Sequence, residues 1–352
     1  MMEKRALIGM SGGVDSSVAA WLCQAEGIDC VGATMHLYCP SEEKKDDADA
    51  RAVAQRLGIP FHILDFQKEF REQVMDAFVR SYESGRTPNP CIRCNQTLKF
   101  GAMLDAAPAL DCSHVATGHY ARIRRDPETG RYLLCKAEDR AKDQTYFLYG
   151  LNQHQLSHTL IPLGNLTKER VRAIAQEQGF LNARKRDSQD ICFVPEGDYV
   201  AFLERHTGKR YAPGSYLDQT GKVVGTHRGA VAYTLGQRKG LGVALGEPMY
   251  VCGKDMDANT VTLGRNADLY SSGLIAENMN WLPFPELTAP LAVTAKIRHS
   301  QYEQPAMVYP MENGSVRVVF GTPQRAVTPG QAVVLYDGDM VVGGGTIVEA
   351  IK

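Results

Sequence analysis

Three stretches carry the residue types and spacing that chemistry needs. In the first, Ser11-Gly12-Gly13-Val14-Asp15-Ser16-Ser17 follows the apolar run Ala6-Leu7-Ile8-Gly9-Met10. Val14, Val18, Ala19, Trp21 and Leu22 then continue at helical spacing, which predicts a buried strand, a tight loop and a helix N-terminus. Glycine admits positive φ and close approach of the backbone to a ligand. The freed N–H groups and the helix dipole attract an anion, most simply a phosphate. The loop lacks the spacing and the lysine of a Walker A motif. In the second stretch, Gly85 to Asn95, two prolines precede Cys91 and Cys94. Pro88 and Pro90 stop the preceding helix and predict a stiff, irregular loop. Its Cys-x-x-Cys is open to three readings: half a zinc site, a redox pair, or part of an iron–sulfur site. Zinc needs two further ligands, and His62, Cys112 and His114 are only scattered candidates. In the third, the basic triplet Arg184-Lys185-Arg186 leads through Asp187-Ser188-Gln189-Asp190-Ile191 into Cys192, before Phe193 and Val194. Nearby cations favour the thiolate, the reactive form; a small buried cysteine in a strand is the alternative.

The elements that must hold these stretches alternate. Ala6–Met10, Cys30–Leu37, Phe61–Asp65 and His114–His119 read as strands, and Val14–Glu26, Ala48–Leu57, Glu69–Ser84 and Gln96–Ala106 as helices between them. Near-continuous apolar strands in such an order predict a parallel sheet covered on both faces. Ligands of these sheets sit outside the carboxyl ends of the strands, where the Gly-rich loop, Met35–His36 and Thr117–Tyr120 would share one rim. Ser41–Asp49 reads as a solvated charged loop. Arg122–Lys136 reads as a hairpin and Thr167–Gln178 as a helix capped by Thr167. The run Arg140–Tyr149 interleaves Lys142, Gln144 and aromatics, which suits phosphates and unstacked bases or an element packing its rings inward.

Beyond Glu204 helical periodicity fades. Gly221–Gly225, Gly236–Gly242 and Asp255–Asn259 read as turns between β-type runs such as Ala230–Thr234, Met249–Val251 and Val261–Leu263. Val293–Ile297, Val316–Phe320, Ala332–Tyr336 and Gly345–Ala350 predict a small antiparallel barrel. The expected division is an α/β nucleotide domain over 1–205, a β-rich central domain over 206–271 and a C-terminal β-barrel over 272–352. The cations of Thr234–Gly240 and Arg298–Tyr302 suit RNA phosphates.

Composition narrows the class. The chain has 352 residues, 44% apolar and 22% charged, with a net charge of −1. That describes a soluble globular protein whose RNA site would be a local basic surface. No apolar run has the length of a membrane span and Met1–Arg5 has no signal-peptide character, so a cytoplasmic location is expected. Nine cysteines there are reduced thiols, suited to catalysis or metal binding more than to structural staples.

The first loop resembles the Ser-Gly-Gly-x-Asp-Ser loop of the ATP-pyrophosphatase (PP-loop) families, which cleave ATP between the α and β phosphates. Over nearly its whole length the chain resembles the tRNA-specific 2-thiouridylases. The resemblance rests on Gly9–Ser16, Thr87–Asn95, Ala116–Tyr120, Lys142–Leu148, Asp187–Phe193 and Tyr233–Leu241, in that order. It implies an N-terminal PP-loop domain and ATP-dependent 2-thiolation of the wobble uridine in the anticodon loop of tRNA. The implied nucleotide site is Gly9, Met10, Ser11, Gly12, Gly13, Val14, Asp15 and Ser16 with Met35 and Gly118, and Mg²⁺ accompanies ATP. Cys192 would carry a persulfide from a sulfur carrier or a cysteine desulfurase, with Cys94 as its partner thiol in a Cys94–Cys192 disulfide. Asn89, Pro90 and Cys91 would meet the target base, and Lys142, Asp143, Gln144, Arg298 and His299 would contact tRNA. No residue is assigned to a protein-held metal. Some members carry an aspartate with an acid/base role where this chain has Cys91, and the resemblance gives Cys91 no such role. Two other readings stand beside this one: a PP-loop ligase forming an amide, and a non-catalytic, zinc-stabilised RNA-binding module.

Overall fold

The computed structural model describes residues 4–38, 47–185, 191–194, 197–244 and 246–352. Strands β1 (Arg5–Gly9), β2 (Asp29–His36), β3 (Phe61–Asp65), β4 (His114–Ala116) and β7 (Thr159–Leu160) form a sheet in the order β3-β2-β1-β4-β7. Every pairing within it is parallel, as the apolar strand–helix alternation predicts. Alternate residues of β1 face opposite cores. Ala6 and Ile8 pack with helices α1 (Val14–Ala25), α2 (Ala48–Leu57) and α5 (Lys168–Glu177). Leu7 packs with Phe100, Met103 and Leu104 on the other face.

Two helical segments lie between β3 and β4. The first, α3, runs over 67–83 with a π-helical turn at Arg71–Met75. The second, α4, runs over 90–106 with a longer π-helical stretch at Asn95–Ala102. Here the expectation of an irregular cysteine loop is corrected. Pro90 sits at the first helical position, where a missing N–H costs nothing, and Asn89 caps the end by accepting from Cys91 N–H at 3.1 Å. The fourth strand also stops three residues early, at Ala116, because Thr117–Tyr120 turns onto the rim.

The hairpin β5 (Arg122–Arg125) and β6 (Tyr132–Cys135) forms as expected. It joins the C-terminal sheet, since Cys135 pairs with Met340. That sheet closes a six-stranded antiparallel barrel in the order 270–281 (β12), Val316–Arg325 (β15), 304–310 (β14), Leu291–Lys296 (β13), Ala332–Asp337 (β16) and Met340–Ile351 (β17), through a β12–β17 pairing. Strands β12 (Tyr270–Trp281) and β14 (Gln304–Pro310) were not evident from the sequence. The first begins two residues before 272 and carries Asn278 at positive φ, which breaks its apolar alternation. Val334, Tyr336 and Val341 of the barrel enter the same core as Leu7, so barrel and parallel sheet are fused through one apolar face.

Between them lies a smaller sheet, β10 (Tyr250–Asp255), β11 (Thr260–Gly264), β8 (Gly214–Leu217) and β9 (Val223–His227), reached through helix α6 (Tyr199–Thr207). Two expectations fail within it. Ala230–Thr234 is no strand but opens with a 3₁₀ turn at Ala230–Ala232, and the turn placed at Gly221–Gly225 ends early because Val223 already belongs to β9. Most of Ser41–Asp49, and Arg186–Asp190, lie outside the described residues.

Candidate active site

The Gly-rich loop leaves β1 at the carboxyl rim. Met10 is anchored by its backbone: its N–H donates to Ala33 O at 2.8 Å and its carbonyl accepts from Thr34 Oγ1 at 2.6 Å. The Met10 side chain is buried beneath the loop, so only its backbone faces the rim. Gly12 takes φ +69°, a left-handed conformation open to glycine at little cost. The loop is tied across itself, with Ser11 N–H donating to Ser16 Oγ and both Ser16 Oγ and Ser17 Oγ donating to Gly13 O. Helix α1 then starts at Val14 with no side-chain cap. Its first N–H groups are left for an anion.

Gly118 belongs to the same rim, for a measurable reason. A Cβ on it would lie 2.6 Å from Asp15 C and Ser16 N, so the Thr117–Tyr120 turn touches the first turn of α1 backbone to backbone. Tyr120 Oη donates to Asp15 Oδ1 at 2.8 Å. The other partner of Asp15 is Lys168, buried at the start of α5, whose Nζ lies 2.7 and 2.8 Å from the two carboxylate oxygens. Sequence reading missed Lys168. Met35 is half-buried at the end of β2, packed with the core that Leu7 enters.

Cys91 and Cys94 lie one turn apart at the start of α4, Cys91 exposed and Cys94 buried. Cys192 is exposed, but the next residues, Phe193 and Val194, are buried in the cluster that holds Cys94, Phe70, Phe78 and Leu98. That apolar cluster brings a segment nearly a hundred residues away onto the cysteine helix. Burial pushes all three thiols above the ordinary range, Cys192 to about 11, with the charges of Cys94 and Cys91 adding to the rise. Of the cations expected to hold Cys192 as thiolate, Lys185 is paired with Asp49 at 2.8 Å and Arg186 lies outside the described residues; among the described residues the cation that lowers the three thiols is Lys99. Lys99 sits half-buried two turns into α4, and it also reaches His119, which burial keeps neutral. With Phe100 ring-to-ring with His119 at 5.5 Å, this face of α4 links the thiols to the nucleotide rim. No motif marked Lys99; only the phase of α4 could have found it.

Thr87, before the capped helix, is held from two sides. Its N–H donates to Pro329 O, its carbonyl accepts from Gln331 Nε2 on the barrel, and its hydroxyl donates to Thr234 Oγ1. Asn89, Pro90 and Cys91 therefore lie where all three sheets' regions converge. The Lys142–Gln144 and Arg298–His299 segments also meet. His299 Nε2 lies 3.4 Å from Asp143 O, and its ring is 4.4 Å from that of Phe147. Asp143 is buried and serves as an internal anchor: Oδ1 accepts from Ala137 N–H and Oδ2 from Thr145 Oγ1. Gln144 accepts from Tyr120 N–H, tying this segment to the rim. Arg298 donates to Ala326 O and Thr328 Oγ1. Tyr146 and Tyr149 pack inward. Among the described residues no three His, Cys, Asp or Glu side chains converge as metal ligands.

The α/β domain with its rim loop matches the family model described as the tRNA methyl transferase HUP domain over residues 4–196. The tRNA methyl transferase PRC-barrel domain follows over 200–265, and the aminomethyltransferase beta-barrel domain over 271–347. The chain is 50% identical to tRNA-specific 2-thiouridylase MnmA of Acetivibrio thermocellus over 358 residues, covering 99% of this chain and all of that one. The relative of the same name from Symbiobacterium thermophilum is 48% identical over 100% of this chain and 94% of its own, and that from Clostridioides difficile 46% identical over 99% of each. The chain belongs to the tRNA-specific 2-thiouridylase family. Full-length membership sets aside the amide-ligase and zinc-module readings.

Proposed function

We propose that this chain, an ATP-dependent tRNA-uridine 2-sulfurtransferase by family, acts on C2 of the wobble uridine in two steps. The C2 oxygen leaves poorly. In the first step it attacks the α-phosphorus of ATP, the Pα–O–Pβ bond breaks, pyrophosphate leaves, and the N3 proton passes to solvent. The N–H groups at the start of α1 oppose the growing phosphate charge. In the second step the terminal sulfur of a Cys192 persulfide attacks C2 and AMP leaves. Cys94 then attacks Cys192 Sγ, and the electron pair of the broken S–S bond remains on the sulfur now held by C2. The product is 2-thiouridine with a Cys94–Cys192 disulfide, which a dithiol reductant resets before a donor reloads Cys192.

The observation that supports this reading is the packing of Phe193, next to Cys192, in the cluster that holds Cys94, on a helix whose Phe100 meets His119 of the Thr117–Tyr120 turn. Raised thiols suit the resting enzyme, since protonated sulfur does not react with solvent oxidants. Mg²⁺ enters as part of MgATP. The loop's own carboxylate, Asp15, is already paired with Lys168 and Tyr120, so among the described residues the loop offers no spare carboxylate for the ion, which would supply positive charge against the phosphates. Asn89–Cys91 receive the flipped base, which leaves an unpaired anticodon loop at low cost. Lys142 and Arg298–His299 face the anticodon stem-loop, with Asp143 and Gln144 bracing them. Among the described residues no helix is long and apolar enough to cross a membrane.

The test is thiolation of unmodified tRNA with ATP and a persulfide donor, read by nucleoside analysis. Wild-type protein makes 2-thiouridine; Cys192→Ala and Cys94→Ala do not complete a turnover. Full activity in Cys192→Ala with the persulfide donor would overturn the role given to that thiol.

A further inference from the structure

Asn182 lies outside every motif above, yet it is buried against the Gly-rich loop. Its Nδ2 donates to Gly12 O at 3.1 Å and to Ser17 Oγ at 2.9 Å. A peptide carbonyl only accepts, so the orientation of the amide is decided: nitrogen faces the loop. Ser17 Oγ passes the contact on to Gly13 O at 2.9 Å, where Ser16 Oγ also donates at 3.1 Å. Both carbonyls of the Gly12–Gly13 pair are thus held by side-chain donors. All peptide bonds described are trans, and in a trans peptide the carbonyl and the following N–H point opposite ways. Holding Gly12 O and Gly13 O therefore fixes where the N–H groups of Gly13 and Val14 point, each away from its own held carbonyl, and neither has a backbone acceptor among the described residues.

The same side chain carries a penalty. Asn182 Oδ1 is buried without a partner among the described residues. An unpaired buried acceptor is costly, and a leucine of similar shape would avoid it. That leucine would in turn leave Gly12 O and Ser17 Oγ without this donor, so both the cost and the gain of the amide lie at the loop. We propose that Asn182 is the positioning residue of the loop, turning the Gly13 and Val14 N–H groups onto the phosphate oxygens of the bound nucleotide. The proposal rests on the reading of Ser11–Ser17 as the nucleotide cradle.

The test is equilibrium binding of α,β-methylene-ATP, which requires neither tRNA nor sulfur transfer, together with KM for ATP and for tRNA. Asn182→Leu keeps the size and removes the donor; Asn182→Asp keeps the shape and presents an acceptor to Gly12 O. Both weaken the analogue about tenfold, the scale of a lost hydrogen bond to a charge-binding group. KM for ATP rises in step and KM for tRNA is unchanged. Ser17→Ala, which cuts only the relay to Gly13 O, weakens binding by a smaller factor and serves if the Asn182 variants do not fold. Analogue affinity within about twofold of wild type in the folded variants, or lost stability with unchanged affinity, overturns the proposal. A wild-type protein that binds the analogue in an Asn182-dependent way but makes no 2-thiouridine sinks the reaction and leaves this inference standing.

Discussion

Gly118→Ala is the sharpest perturbation the site offers. Its backbone lies outside the left-handed region, so the substitution is tested by space alone. The new methyl would sit 2.6 Å from Asp15 C and Ser16 N, where ordinary contact begins at 3.4 Å. The two chains must part by about 0.8 Å, and neither can yield by a side-chain rotation, because both neighbours are backbone. Overpacking of this kind costs about 1–3 kcal/mol. The displaced element is the first turn of α1, whose N–H groups the proposed mechanism sets against the nucleotide, and a misplacement near 1 Å costs about 100-fold in rate. The assay is steady-state thiolation at varied ATP and saturating tRNA, with a urea melt on the same sample. The expected result is kcat/KM for ATP down about 100-fold with KM for tRNA unchanged. A folded Gly118→Ala enzyme within about threefold of wild type would refute the reasoning that backbone contact at this rim sets the cradle.

Three further outcomes follow from the same geometry. Lys168→Met strands the Asp15 carboxylate and lowers unfolding free energy by about 3–5 kcal/mol, and Asp15→Asn in the same chain recovers part of the loss; urea midpoints read both. Because burial holds the Cys192 thiol near 11, its thiolate fraction, and with it alkylation by iodoacetamide, rises about tenfold per pH unit from neutrality upward. Lys99→Gln removes the cation that lowers this thiol and slows alkylation at every such pH; mass spectrometry of the Cys192 peptide follows both. Asn89→Ala removes the cap on Cys91 N–H and costs about 1 kcal/mol in chemical denaturation.

The strand, loop and helix start around Ser11–Ser17 are legible in the sequence, because they are built from local rules. An apolar run, two glycines and a helical period specify strand, loop and helix start without reference to the rest of the chain. The parallel sheet followed from the same periodicities, and the barrel from its four most regular apolar runs. The failures also have local causes. Pro90 was read as a breaker where it is a helix start, since the same residue ends one helix and opens another. The strand Tyr270–Trp281 was hidden by a positive-φ Asn278 that interrupts its alternation.

What the sequence alone determined, then, was which backbone could receive a phosphate and which thiols were present. The tertiary structure decided how those groups behave. Lys168 reaches Asp15, Asn182 reaches Gly12, and Phe193 carries Cys192 to Cys94 across separations of 153, 170 and nearly a hundred residues. The basic triplet before Cys192 suggests a thiolate, while desolvation of that sulfur and the neighbouring Cys94 and Cys91 push the thiol up. Charge and desolvation act through space, and only the packed chain says which groups share that space.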